Sequence, residues 1–110
     1  MAISSWSRSF ALGNGSLRKA AKTDANQTEI VQALRKAGAT VQSLAATGCG
    51  VPDLLVGRNG QTFLLEVKDG NKPLSARKLT PDQVEWHANW KGGPLVVVES
   101  AEQALSVVGC

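Results

Sequence analysis

Residues 50–68 read GVPDLLVGRNGQTFLLEVK, and this stretch decides the fold. It contains two strand-like runs, 53–56 and 62–68, on either side of the tripeptide Arg58-Asn59-Gly60. Asn-Gly tolerates the positive φ angles that a tight hairpin turn requires. The two runs are therefore predicted to be antiparallel neighbours in one sheet.

The predicted hairpin brings three charged side chains together. Side chains alternate along a strand, so Glu66 and Lys68 point to one face while Leu65 and Val67 point to the other. The start of the first strand lies beside the end of the second, which brings Asp53 close to Glu66 and Lys68. Two carboxylates so close repel each other unless a cation lies between them, and their oxygens suit Mg2+ or Mn2+. A lysine beside such a site can orient a water or neutralise charge on a phosphate.

A structural explanation of these residues is also open. An exposed Glu-x-Lys pair on one strand face is common and contributes only ~0.2–1 kcal/mol to stability. Asp53 directly after Pro52 could simply lead a loop into a strand. These explanations account for each residue singly, but they leave the coincidence of all three unexplained.

The remaining sequence predicts helices and strands around the hairpin. Apolar residues at helical spacing are followed by Gly38, and Pro81 follows a good N-cap residue, Thr80. The predicted elements are a helix ending at Gly38, a strand at 40–44, the hairpin, a helix at 80–91, a buried strand at 95–98 and a short helix at 100–109. This order predicts an α/β domain in which helices flank a central mixed sheet of about four strands.

Length and composition narrow the possible classes. The chain has 110 residues, 43% of them hydrophobic, which suits a single core. It contains no apolar run of roughly 18 residues, so we expect no membrane-spanning helix. The N-terminus has no secretory signal pattern, and Cys49 and Cys110 form neither a metal-ligand spacing nor a disulfide framework. An intracellular, reducing compartment is expected.

The net charge of +3 is unevenly distributed. Residues 1–22 hold four basic residues and no acid, whereas residues 23–110 hold eight basic residues against nine acids. We predict a basic arm at 1–22, either a frayed, flexible terminus or a segment that contacts nucleic acid, followed by a folded domain at 23–110. The candidate phosphate contacts lie in the arm and in the loop after the hairpin: Arg18, Lys19, Lys22, Lys72, Arg77 and Lys78.

These motifs resemble a known signature. Pro52-Asp53, twelve intervening residues and Glu66-Val67-Lys68 are similar to the PD-(D/E)XK nuclease motif, most closely that of its virus-type replication-repair nuclease (VRR-NUC) branch. The resemblance extends over about residues 23–108. Its context includes GVPDL at 50–54, LEVKDG at 65–70, KPLS at 72–75, LTPDQ at 79–83 and VVVES at 96–100.

The resemblance implies a restriction-endonuclease-like fold, with core order αβββαβ, and a metal-dependent phosphodiesterase that acts on DNA. Asp53 and Glu66 would be the metal ligands, joined by the backbone carbonyl of Val67. Lys68 would position the attacking water. The implied cofactor is Mg2+ or Mn2+.

Two further site residues follow from the resemblance. Glu29 would match the first-helix acid that holds a metal-bound water or a second metal, and Gln83 the glutamine that steadies the lysine and the substrate. Each also has a local explanation, because Asn26 with Glu29 and Thr80 with Gln83 are both spaced as capping boxes.

The second predicted helix carries three more residues of interest. Trp86 and Trp90 share a face with Gln83 and are predicted to cover the sheet, with base stacking as the alternative. His87 flanks that face and has no serine or cysteine partner at a recognisable spacing. We therefore predict that it lies at the surface or the edge of the core.

The sequence thus predicts a metal-dependent DNA endonuclease. The resemblance implies a structure-specific enzyme, similar to Holliday-junction resolvases, that works as a homodimer in phage or prophage DNA replication, repair or recombination. Its location would be the cytoplasm of a bacterial host. A nicking or restriction-type endonuclease, or a non-catalytic DNA-binding module, remain as alternatives.

Overall fold

The computed structural model describes residues 24–110. Its helices and strands are α1 Gln27–Lys36, β1 Thr40–Ser43, β2 Leu54–Arg58, β3 Gln61–Val67, α2 Pro81–Asn89, β4 Leu95–Val98 and α3 Ala101–Val107. Short 3-10 turns occur at Ala45–Thr47 and Leu74–Arg77. The predicted order of elements is confirmed. The basic arm, with Arg18, Lys19 and Lys22, lies outside the described residues.

The strands form one mixed sheet in the order β1-β2-β3-β4. β1, β2 and β3 are antiparallel neighbours, and β4 runs parallel to β3. Asn59 and Gly60 have φ angles of 53° and 78°, as the predicted hairpin turn requires. Leu54 pairs with Leu65, so the residue before β2 comes opposite Glu66. The predicted fold class, a mixed four-stranded sheet flanked by helices, is confirmed.

One face of the sheet is sealed by α1 and α3. Alternate side chains of β2 and β3 point to this face, and the main cluster is Ile30, Leu34, Leu54, Val56, Phe63, Leu65, Val67, Val98 and Ala104. Ile30, Leu34 and Leu65 are each 0% exposed. Burying one such side chain contributes roughly 1.5–3 kcal/mol relative to leaving it in water. This face therefore holds most of the apolar stabilisation of the fold.

The other face of the sheet carries α2, which packs differently. Within Pro81–Asn89 no residue is buried. The prediction that the tryptophans cover the sheet holds only in part. Trp86 is half-buried and stacks on Trp90 with ring centroids 5.2 Å apart, and Trp90, although 39% exposed, lines a cavity with Leu64 of β3.

The prediction of a buried fourth strand is also wrong in part. β4 pairs with β3 only and lies at the edge of the sheet. Val98 is buried against α1 and α3, but Val97, which points to the opposite face, is 39% exposed. A run of apolar residues does not distinguish an edge strand from a central one. No helix within residues 24–110 is long and apolar enough to cross a membrane.

Candidate active site

Asp53 is fixed against β3 by a backbone hydrogen bond. It lies in the turn that leads into β2, and its Oδ2 accepts a hydrogen bond from the Val67 amide at 2.8 Å. This bond can form because β2 and β3 are antiparallel and in the register that places Asp53 beside the end of β3. The predicted proximity of Asp53 to Glu66 and Lys68 is confirmed.

Glu66 is a buried acid, with only 1% of its surface exposed. Burial, then a side-chain hydrogen bond to Asp53 and the negative charge of Asp53, together raise the pKa of Glu66 to about 8. The Lys68 ammonium opposes this shift, and Asp24 adds to it. Near neutral pH Glu66 therefore retains its proton, as expected for a buried acid beside another carboxyl group without a cation between them.

Lys68 is buried on the same strand face, with 9% of its surface exposed. Its Nζ donates a hydrogen bond to Gln83 Oε1 at 3.0 Å. The alternative of an exposed, solvated Glu-x-Lys pair is thereby excluded. A buried acid and a buried lysine are costly to fold unless they are paired.

Gln83 joins α2 to both charged residues. Its Nε2 donates to Glu66 Oε2 at 3.0 Å, while its Oε1 accepts from Lys68 Nζ and from the Thr80 amide. The Thr80 hydroxyl accepts from the Gln83 amide, which completes the predicted capping box. The two explanations of Gln83 are therefore compatible, since one side chain begins the helix and reaches the site.

His87 belongs to the site, although the sequence predicted a place at the surface or the core edge. Its Nε2 lies 3.2 Å from Glu66 Oε1, and 15% of the side chain is exposed. Burial, followed by the charge of Lys68, lowers the pKa of His87. With the pKa of Glu66 raised, the contact is a hydrogen bond between neutral groups at pH 7 rather than an ion pair. The available signal was the four-residue spacing from Gln83, which places both on one helix face.

Gly50 allows the loop before Asp53 to touch the start of α2. It has a φ of +83°, and a Cβ built on it would overlap the backbone carbonyl of Asp82 and crowd the amide of Gln83. Only glycine meets both conditions without strain. The loop thus helps to set the position of Gln83 relative to Asp53.

The charged residues line one cleft of about 230 Å³. Its walls are Asp24, Asp53, Glu66, Val67, Lys68, Lys72 and Gln83. The side chain of Val67 belongs to the core, so its main chain is what faces the cleft. Asp24 and Lys72 form an ion pair at 3.2 Å across the opening. Asp24 precedes α1 and has no sequence motif of its own, which is why the sequence did not predict it.

Glu29 is not part of this cleft, contrary to the prediction. It is exposed and lines a separate cavity with Asp69 and Glu99. The predicted capping box is absent as well, because Asn26 Nδ2 instead donates to the carbonyls of Lys68 and Glu99 at 3.1 and 2.9 Å. These bonds, together with the buried Ile30, fix the rotation of α1 so that Glu29 faces away from Asp53 and Glu66.

The predicted phosphate contacts of the loop differ from one another. Lys72 and Lys78 are exposed, and Lys72 stands at the cleft. Arg77 instead forms an ion pair with Glu99 at 3.2 Å and does not line the cleft. Its guanidinium is therefore held in place by the protein, and the prediction that Arg77 faces DNA is not supported.

The fold and the site together define a restriction-endonuclease-like domain with a PD-(D/E)XK arrangement of Asp53, Glu66 and Lys68. A solved structure described as a VRR_NUC domain is similar to this chain, with a TM-score of 0.57 and 26% sequence identity. The match covers 77% of this chain and 96% of that one. The predicted resemblance to VRR-NUC domains is confirmed. No family model matches the sequence, and no curated protein matches it significantly.

Proposed function

We propose that this chain is a metal-dependent endonuclease of the PD-(D/E)XK type that hydrolyses phosphodiester bonds in DNA. The observation that carries the proposal is the convergence of Asp53, Glu66 and Lys68 on one cleft of a VRR-NUC fold. Lys68 and Glu66 are linked through Gln83 rather than left as separate surface charges.

The residues of the cleft fit a hard divalent cation. Asp53 lies beside Glu66, and a cation between their oxygens would replace the proton that Glu66 retains near neutral pH. Among residues 24–110 no three carboxylate, histidine or cysteine side chains form a metal-binding group. The main-chain carbonyl of Val67 and waters would therefore complete the shell, as Mg2+ and Mn2+ permit. When bound, the ion would supply charge stabilisation for the phosphate and the leaving oxygen.

Lys68 is placed to act on the attacking water. Its ammonium is held at the cleft by Gln83, so its position is fixed before substrate arrives. A fixed positive charge in a site shielded from solvent stabilises negative charge more strongly than the same charge in water. We assign Lys68 the role of orienting the water and neutralising charge on the phosphate.

A non-catalytic DNA-binding module is the rival class. Such a module needs exposed basic residues, but it has no need for a buried glutamate beside a buried lysine. Glu66 and Lys68 are 1% and 9% exposed, and placing charged groups there costs stability. A catalytic centre requires such buried charged groups, whereas a binding surface gains nothing from the loss of stability that they cause.

We further propose that the substrate is branched DNA, cut by a homodimer with two active sites. The support is the resemblance together with size, since a folded domain as small as 23–110 cannot surround a junction alone. Lys72 and Lys78, with the arm residues Arg18, Lys19 and Lys22, would contact phosphates. A phage or prophage setting in a bacterial cytoplasm belongs to the same proposal. A nicking or restriction-type enzyme that cuts plain duplex is the second candidate.

The test is cleavage of a labelled four-way junction, a flap and a plain duplex, each with Mg2+ or Mn2+. We expect Asp53→Ala and Lys68→Ala to lower the cleavage rate by on the order of 100-fold or more. Lys36→Ala is the matched control, because Lys36 is an exposed lysine at the far end of α1. If the wild type binds DNA but cuts none of the three with either ion, the enzyme proposal fails. Full activity of Asp53→Ala would instead refute the site assignment, and equal cutting of all three would refute the structure preference.

A further inference from the structure

The carboxyl group of Glu66 is held at both of its oxygens by α2. Gln83 Nε2 lies 3.0 Å from Oε2, and His87 Nε2 lies 3.2 Å from Oε1. Gln83 and His87 are four residues apart, one helical turn, so a single face of α2 presents both side chains to Glu66. Both carboxyl oxygens of Glu66 are therefore within hydrogen-bond distance of a side chain of α2.

Two contacts fix the orientation of the Glu66 carboxyl group, which a single contact cannot do. The terminal torsion of a glutamate is broad, so a single hydrogen bond leaves the carboxyl group free to rotate about it. Gln83 is also shared, since its Oε1 accepts from Lys68 and from the Thr80 amide. His87 makes its contact to Glu66 alone among the side-chain hydrogen bonds of the described residues. The orientation of the carboxyl plane thus depends on His87.

The contact joins two polar side chains. Within Pro81–Asn89 no residue is completely buried, so His87 is not enclosed in an apolar core. Glu66, by contrast, is almost completely buried, so water cannot readily replace a partner at either oxygen. Polar groups that hold a metal-ligating side chain in one orientation are a general feature of metal sites.

We propose that His87 is a positioning residue that fixes the orientation of the Glu66 carboxylate toward the divalent cation. This inference rests on the proposed function. The Nε2–H of His87 donates to Oε1, and Gln83 donates to Oε2. The remaining lone pairs of the carboxylate are then directed at the cleft that Asp53 shares.

The experiment compares three variants of the full chain. His87→Ala removes the donor, His87→Gln keeps an N–H donor of similar reach, and Val84→Ala changes a half-exposed side chain of the same helix. Mn2+ binding is measured by calorimetry without DNA, and the metal concentration for half-maximal cleavage, the KM for DNA and the Tm are measured in parallel. We expect His87→Ala to weaken Mn2+ binding about 10- to 100-fold, to raise the metal requirement to match, and to leave the KM for DNA unchanged. His87→Gln should recover most of this loss, and Val84→Ala should behave as wild type.

Three results would overturn the proposal. Wild-type Mn2+ affinity in His87→Ala would show that the contact does not orient the ligand. A loss as large in His87→Gln as in His87→Ala would show that the donor is not what matters. A lower Tm with unchanged metal affinity would make the role structural only. If the wild type itself neither binds Mn2+ nor cleaves DNA, the proposed function fails, which is distinguishable from all three.

Discussion

The two faces of the sheet are built on opposite principles. Toward α1 and α3 the strands present apolar side chains, and Ile30, Leu34 and Leu65 are completely buried. Toward α2 the same strands present Leu64, Glu66 and Lys68, and α2 itself buries no residue within Pro81–Asn89. The first face is held mainly by the removal of apolar surface from water, whereas the second depends more on a few directed hydrogen bonds.

The difference shows where stability and chemistry are separated in this small domain. The sealed face can carry the free energy of folding because its contacts are numerous and independent of charge. The α2 face holds charged groups that destabilise the fold unless each finds its partner. A core on one side therefore supports a costly site on the other, which is the usual relation between a scaffold and its functional centre.

The largest effect on stability is expected on the sealed face. Leu34→Ala removes a side chain that is 0% exposed and leaves a cavity between α1 and the sheet. We expect a loss of about 2–5 kcal/mol in the free energy of unfolding. Val84→Ala, on the half-exposed surface of α2, should change it by less than about 1 kcal/mol. Urea unfolding of both variants measures the contrast, and equal losses would contradict the division between the faces.

The sequence predicted the part of this contrast that depends on local rules. Asn59-Gly60 determines the hairpin, and strand alternation then places Glu66 and Lys68 on the face opposite the core. Because the pairing is antiparallel, Asp53 has to lie beside them. The fold class and the three central site residues, Asp53, Glu66 and Lys68, can be predicted from these steps. Each step depends only on contacts between residues close in sequence or paired in two adjacent strands.

The parts that failed depend on contacts between distant segments. The rotation of α1, which turns Glu29 away, is set by Asn26 bonding to the carbonyls of Lys68 and Glu99. The Arg77–Glu99 ion pair likewise joins two segments that are not adjacent in sequence. No periodicity encodes such pairings. His87 is different, because its spacing from Gln83 was visible, but its partner Glu66 could be identified only once α2 was placed.

The next prediction concerns the pH dependence of stability that the buried Glu66 on the α2 face should cause. The pKa of Glu66 is raised to about 8 from an ordinary value of 4.5, so the folded protein retains a proton that the unfolded chain releases. The metal-free protein should therefore lose stability as the pH rises from 4.5 to 8, at roughly 1.4 kcal/mol per pH unit at most. Glu66→Gln should remove most of this dependence, whereas Glu102→Gln, at an exposed acid of α3, should retain it. Urea unfolding in EDTA at pH 5, 6.5 and 8 measures the slope, and a wild-type stability that rises over this range would contradict the assignment.

A smaller loss of stability is expected where the loop before Asp53 contacts the start of α2. Gly50→Ala places a methyl group against the Asp82 carbonyl and also strains a residue with a φ of +83°. Gly60→Ala is the matched control, because its φ is +78° but its Cβ would meet open space. We expect Gly60→Ala to cost about 1–2 kcal/mol from backbone strain alone, and Gly50→Ala to cost more. Gly50→Ala should also slow cleavage at saturating DNA, since the start of α2 carries Gln83. Equal stability and activity in the two variants would show that the loop does not position α2.

The smallest effect, on DNA binding, is expected for two basic residues of the same loop, Arg77 and Lys78, which were both predicted to contact phosphates. Lys78 is exposed, whereas Arg77 is held by Glu99 at 3.2 Å. If Lys78 contacts a phosphate, Lys78→Ala should weaken DNA binding a few-fold and reduce the slope of log K against log salt by about 1. Arg77→Ala should leave that slope nearly unchanged and instead lower the Tm, because it leaves Glu99 without its partner. Binding to a labelled junction between 50 and 200 mM salt separates the two, as only a residue that displaces counterions alters the slope. A larger slope change in Arg77→Ala than in Lys78→Ala would mean that the ion pair opens on DNA, and that the loop of the α2 face rearranges when substrate binds.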